Sequence, residues 1–295
     1  MFSRFSGLPS ALGQGSTVVD GNKVACQQAP TSHAIVFDNV SFGYNSNEGN
    51  VVEVLSNLSI NSPAAKFFGI VGPSGSGKTT ILRLISDLIT PEQVAYMAGS
   101  ITILSGLPSA ARQKRTFGFL FQDSVLFPWR NVLQNVTLPL QIMGSSNASD
   151  LGRAHELLDV VGLSQFKHNR VSELSGGMQQ RVSLVRALIT NPSILLLDEP
   201  FASQDFLVRE QLMKLLQELW QDAMPTVIFV SHDLADAVTL CDSIAVLSKR
   251  PGRLLKLVHV DLVRPRTYRH QLDPEYPRAL KAVRDALTDT TGGVL

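Results

Sequence analysis

Apolar residues along this chain fall into short unbroken runs and into helical stripes, and the two kinds alternate. The runs at 67–71, 194–197 and 226–230 are β-branched or aliphatic and end at turn residues, as parallel strands buried on both faces do. Residues 35–42 and 55–60 read as two further strands flanking a polar turn at 45–50. Helical spacing starts at 78–86, with Ile81, Leu82 and Ile85 on one side. It returns at 151–161 through Leu151, Ala154, Leu157, Leu158 and Val161, and stops at Gly162. Met178, Val182, Val185 and Ile189 mark a helix that Asn191 and Pro192 end. Val208, Leu212, Leu215, Leu216 and Leu219 mark another over 205–220. The pattern predicts an α/β fold interrupted, before the strand at 194, by a partly helical insertion.

Before residue 34 the pattern vanishes. Residues 1–33, rich in Ser, Gly, Gln and Pro, are expected to be a disordered extension. The main domain is placed at 34–253, with its helical part at about 123–190, and 254–295 is set apart as a C-terminal tail. From about Lys249 the chain is locally basic, through Arg250, Arg253, Lys256, Arg264, Arg266 and Arg269, which reads as a solvated face.

Composition narrows the classes. Hydrophobic residues make up 44% and charged residues 17%, with a net charge of +1, so no field favours nucleic acid as a partner. No run approaches the ~20 apolar residues needed to cross a bilayer. The beginning of the chain lacks a charged start and long apolar segment, so no secretory signal is expected. Cys26 and Cys241 make no disulfide framework, which fits a reducing compartment.

Candidate chemistry lies at the strand ends. After the run at 67–71 comes Gly72-Pro73-Ser74-Gly75-Ser76-Gly77-Lys78-Thr79-Thr80, a P-loop between strand and helix. Its glycines let backbone N–H groups approach phosphates, Lys78 supplies a charge for the β- and γ-phosphates, and the Thr79 hydroxyl can ligate Mg²⁺. The run at 194–197 delivers Asp198 and Glu199 at its C-terminal end, where open α/β sheets place their sites. The run at 226–230 leads to Ser231, His232 and Asp233, and of the six histidines only His232 ends a buried apolar strand.

Read with Leu174-Ser175-Gly176-Gly177-Met178-Gln179-Gln180-Arg181, these elements resemble the ATP-binding-cassette (ABC) ATPases over about residues 35–253. The resemblance implies a P-loop NTPase core, an antiparallel β subdomain and an inserted helical subdomain. It implies that Asp198 holds Mg²⁺, that Glu199 orients and polarises the attacking water, and that His232 contacts the γ-phosphate; with Lys78, the last two are the catalytic candidates. Tyr44 matches the aromatic residue that stacks on adenine, and Gln122 the glutamine that senses Mg²⁺. Gly72, Ser74, Gly75, Ser76, Gly77, Lys78, Thr79 and Thr80 would hold the nucleotide. Ser175 and Gly177 would bind the γ-phosphate of ATP held by a second, head-to-tail subunit, and Gly176 and Asp205 count among the nucleotide-binding residues.

A narrower likeness follows Gln122. The Pro128-Trp129-Arg130 core within 123–132, and Arg250-Pro251-Gly252-Arg253, are similar to the importer ATPases for nitrate, sulfonate, taurine and related solutes. That group implies membrane permease subunits, a solute-binding protein, and a peripheral position on the cytoplasmic face of the inner (plasma) membrane. Exposed Trp129 would anchor the permease. The alternative is a soluble ATPase of this type that regulates or assembles a protein or nucleic-acid complex. One departure stands out: Gln204 precedes Asp205 where the family has an apolar residue, which bears on how the two ATP sites are coupled.

Overall fold

The structure is a computed structural model that describes residues 33–45, 50–145, 147–202, 204–266 and 272–288. The expected N-terminal disorder lies outside the described residues, apart from His33, which opens the first strand. In chain order the elements are β1 (His33–Asn45), β2 (Val51–Pro63), β3 (Phe67–Val71), α1 (Lys78–Ile85), β4 (Val94–Ile103) and α2 (Pro108–Gln113). Next come β5 (Phe117–Leu120), α3 (Val132–Ile142), α4 (Ala148–Val160), α5 (Gly176–Leu188), β6 (Ile194–Asp198) and α6 (Phe206–Ala223). The chain ends with β7 (Thr226–Ser231), α7 (Leu234–Leu240), β8 (Ser243–Leu247), β9 (Leu254–His259) and α8 (Glu275–Thr288).

The central sheet has the order β5-β6-β7-β3-β8-β9 among the described residues, parallel except for antiparallel β9. Strands β3, β6, β7 and β8 are buried along their whole length. Because successive side chains point to opposite faces, each unbroken apolar run feeds two cores. Phe67, Val71, Leu195, Leu197, Val227 and Phe229 pack with the helical insertion and with α6 to α8. Phe68, Ile70, Leu196, Ile228 and Val230 pack with α1 and the second sheet, β2-β1-β4. That second sheet is antiparallel throughout. Helices α3, α4 and α5 form the insertion.

Residues 254–288, set apart above as a tail, supply the sheet's antiparallel edge strand β9 and helix α8 against α7, β8 and β9. The basic segment within it needs a correction, since Arg264 and Arg266 are not on a solvated face. Arg266 is 3% exposed. Its guanidinium donates to the carbonyls of Cys241, Val260 and Leu262 and to Asp242 Oδ1 at 3.0 Å. Arg264 shares that carboxylate oxygen and lies 4.7 Å from the centres of the Phe67 and Trp220 rings. Asp242 Oδ2 in turn accepts from the Phe67 amide at 3.0 Å, so the pair fastens the return of the chain to the start of β3. A charged stem can cover apolar surface while its head is paired, and composition alone does not reveal it.

Candidate functional site

The P-loop owes its shape to glycines. Gly75 and Gly77 have φ of 76° and 95°, the left-handed region that glycine enters without strain. A Cβ at Gly77 would stand 2.8 Å from Leu55 Cδ2 and 2.9 Å from Val54 Cγ1, so the loop lies directly on β2. Gly77 also starts α1 without any side-chain cap. The leading amides of α1 therefore point into the loop, a ready anion site with the positive end of the helix dipole behind it.

Lys78 is almost fully buried, and its Nζ donates to the carbonyls of Gly72 at 2.9 Å and Pro73 at 3.1 Å. Burial lowers its pKa from the ordinary lysine value, while the charges of Glu199 and Asp198 oppose that shift. Its Nζ thus sits between the loop carbonyls and the charges of the two carboxylates. The Thr79 hydroxyl donates to Asp198 Oδ1 at 3.2 Å. Asp198, at the buried end of β6, has its pKa raised, chiefly by burial, with the Thr79 hydrogen bond opposing it.

Glu199 leaves β6 with φ of 45°, while its amide still donates to the Val230 carbonyl at 3.0 Å. A left-handed non-glycine backbone is costly and persists only where its surroundings hold it, as functional sites often do. Here the turn aims the carboxylate out of the sheet. Its Oε2 lies 2.9 Å from His232 Nδ1, and the His232 ring is 60% exposed.

Behind His232, Asp233 caps α7 by accepting from the amides of Ala235 at 2.9 Å and Asp236 at 3.3 Å. Its other oxygen accepts from Arg209 of α6 at 2.7 Å, and the same Arg209 nitrogen lies 3.5 Å from Asp236. Burial, and then the charge of Asp233, push the Asp236 carboxyl up to about 7. Sequence reasoning passed over this carboxylate–arginine cluster. Its only signal was an arginine four residues after Asp205, one helical turn on.

The P-loop opens into a cavity of about 380 Å³ lined by Tyr44, Val52, Val54, Ser74, Gly75, Gly77, Lys78, Thr79, Thr80, Gln122, Glu199 and Arg250. Gly72, Ser76 and Asp198 lie behind its wall, and His232 reaches it through Glu199. The donors Thr79, Asp198 and Gln122 are all oxygens, which suits a hard divalent cation. Among the described residues no three His, Cys, Asp or Glu side chains gather into a metal cluster.

Ser175, Gly176, Gly177 and Asp205 do not line this cavity. Ser175 caps α5, its hydroxyl accepting from the Met178 amide at 3.4 Å. Asp205 caps α6, accepting from Val208 at 3.0 Å. The two helix starts touch: a Cβ at Gly177 would stand 2.9 Å from Val208 Cγ1 and 3.3 Å from Gln204 Oε1. Gln180 donates to the Pro200 carbonyl at 3.0 Å, joining α5 to the turn after Glu199.

A second, larger groove of about 460 Å³ is mostly apolar, with Phe117, Phe119, Phe121, Val125, Phe127, Leu138 and Ile142 among its walls. Trp129, 73% exposed, packs on Phe127 at 5.1 Å between ring centres. Buried Asn135 shapes this segment, accepting from the Phe127 amide at 2.8 Å and donating to the carbonyls of Phe127, Arg130 and Asn131. The segment after Gln122 is tied to α5 as well, Ser124 donating to Gln179 at 3.0 Å and Arg186 to the Val125 carbonyl at 2.6 Å.

Comparison with known proteins agrees with this geometry. A family model described as ABC transporter matches residues 55–202. The taurine import ATP-binding protein TauB of Pseudomonas fluorescens is 40% identical over 217 residues, covering 72% of this chain and 78% of that protein. An uncharacterized ABC transporter ATP-binding protein of Methanocaldococcus jannaschii is 40% identical over 218 residues, covering 74% and 79%. Among solved structures, the dimeric post-hydrolysis state of the ATP-binding cassette MJ0796, bound to ADP and Pi, superposes with a TM-score of 0.66. It is 31% identical and covers 78% of this chain and 100% of its own. With a nucleotide-sized P-loop cavity, paired carboxylates at a strand end and these relatives, the chain belongs to the ABC transporter family, as an ATP-binding subunit that hydrolyses ATP.

Proposed function

We propose that this chain energises an importer of small solutes of the taurine, sulfonate and nitrate kind, docked on permease subunits at the cytoplasmic face of the plasma membrane and served by a solute-binding protein. The observation that carries this reading is the apolar groove beside exposed Trp129, wired to the ATP site through the segment that begins at Gln122. Its walls offer the desolvated aromatic anchors that protein partners use. Among the described residues no helix is long and apolar enough to cross a membrane.

At the ATP site, Tyr44 stacks on adenine while the P-loop amides and Lys78 hold the β- and γ-phosphates. Glu199 orients the attacking water and draws on its proton, and His232, held by Glu199, reaches the γ-phosphate. Thr79, Asp198 and Gln122 would hold Mg²⁺, which when bound neutralises charge on the phosphates. Ser175, Gly176 and Gly177, away from their own cavity, serve the γ-phosphate of a second ATPase subunit, identical or related. Closing two subunits on ATP and releasing them after hydrolysis biases the permease between two states, a coupling free energy between the two sites.

The test is co-purification from gently solubilised membranes with wild type and Trp129→Ala. A polytopic permease is expected with wild type only, with ATP affinity the same in both. Purely soluble partners for the wild type would overturn the import reading.

A further inference from the structure

We propose that Arg250 is a nucleotide-binding residue that grips the ribose and α-phosphate side of ATP. It lines the same cavity as Tyr44 and Lys78, yet it belongs to the turn between β8 and β9, far in sequence from the P-loop and both strand-end carboxylates.

The turn is built rather than loose. The Ser248 hydroxyl donates to the Pro251 carbonyl at 3.0 Å and accepts from the Arg253 amide at 2.9 Å, while the Ser248 amide donates to the Arg253 carbonyl. Gly252 then fixes the turn to the nucleotide site. Its amide donates to the Val54 carbonyl at 2.7 Å, and its carbonyl accepts from the Ser56 amide at 3.1 Å. A Cβ at 252 would stand 2.2 Å from the Ser76 carbonyl, so only glycine lets the turn lie against the P-loop backbone. Two residues before that fixed point, Arg250 has no freedom to leave the neighbourhood of the cavity.

Its placement says which part of the nucleotide it meets. The strand that holds the turn, β2, contributes Val52 and Val54 to the cavity wall that Tyr44 shares. The P-loop amides and Lys78 occupy the phosphate end. A guanidinium on the β2 side faces the sugar and the first phosphate, where its planar donors can bond anionic oxygens. Arg250 makes no hydrogen bond or ion pair with the described residues, so its donors are available to a ligand. The groups it would touch are common to ATP and ADP, whereas inorganic pyrophosphate offers only two phosphates for the P-loop and Lys78 and no sugar side.

The experiment is calorimetric titration of the full chain with ATP, ADP and pyrophosphate, comparing wild type with Arg250→Ala, Arg250→Lys and Lys249→Ala. Loss of one charge-assisted contact predicts about a ten-fold weaker Kd for ATP and for ADP alike in Arg250→Ala. Arg250→Lys should recover part of that loss. Pyrophosphate affinity should not change, nor should nucleotide affinity in Lys249→Ala, which removes the same charge from an exposed neighbour in the same turn. Unchanged ATP and ADP affinities in an Arg250→Ala chain with wild-type melting temperature would overturn the proposal. So would a loss confined to ATP, an equal loss for pyrophosphate, or an equal loss in Lys249→Ala. If Arg250→Ala melts early, Arg250→Met, which keeps the apolar stem, takes its place under the same criteria.

Discussion

At the scale of single residues, Glu199 carries the heaviest demands. Its backbone is left-handed, its amide stays in the sheet's hydrogen bonding, and its carboxylate meets His232. Replacing it with Gln keeps the shape and a hydrogen-bonding group for His232 but removes the charge that polarises water. Glu199→Gln should therefore bind ATP as wild type does and lose hydrolysis by roughly 10²- to 10⁴-fold, measured as phosphate release against nucleotide binding. A variant that turns over ATP at the wild-type rate would remove Glu199 from this role. The pairing Asp198-Glu199 was legible in the sequence because two acids at the end of an apolar run have few other reasons to be there. The left-handed turn that aims Glu199 was not, since no glycine marks it. Arg266 shows the opposite failure: a charge-rich stretch reads as surface until the carbonyls and Asp242 that surround its guanidinium are in view.

Among elements, the long apolar runs were the easiest to read, because parallel strands buried on both faces leave no polar alternation to confuse. Strand β5 is only four residues long, and β9 alternates weakly as an exposed edge, so neither stood out. The link between α6 and α7 was invisible for a different reason: Arg209, Asp233 and Asp236 meet only in three dimensions. This link has a pH signature. The folded chain holds the Asp236 proton up to about pH 7, because of burial and the nearby Asp233, against an ordinary value of 3.8. Arg209 and His232 act the other way but do not cancel the shift. The unfolded chain releases that proton earlier, so this group's contribution to stability is complete below about pH 4 and is lost as pH rises to about 7. Asp236→Asn has no such loss. Its stability relative to wild type, from urea unfolding at several pH values, should climb between about pH 4 and 7 and then level off. A gap that stays constant across that range would show that Asp236 ionises normally in the folded chain.

On the scale of the whole molecule, one chain holds two half-sites that do not meet. The P-loop cavity has Glu199 and Lys78 in its walls, whereas Ser175, Gly176 and Gly177 open α5 elsewhere on the surface and Asp205 opens α6 beside them. A helix start can bind an anion through its leading amides, and here its own chain's cavity does not include it. This division explains why the sequence motifs, each legible alone, do not by themselves point to the two-subunit site we propose. It also singles out Gly176. A Cβ there meets nothing within 4 Å, so a larger side chain leaves the fold undisturbed. Gly176→Glu would nevertheless place a carboxylate where a second subunit brings its γ-phosphate, setting like charges together as the dimer closes. The expected outcome is a chain with wild-type melting temperature and wild-type ATP affinity as a monomer, but with no ATP-dependent dimer on size exclusion and hydrolysis reduced at least 100-fold. Weakened ATP binding by the monomer would instead put the α5 start within its own chain's site. Full hydrolysis would mean that the helix start takes no part in the reaction, and the second half-site would have to be sought on another face.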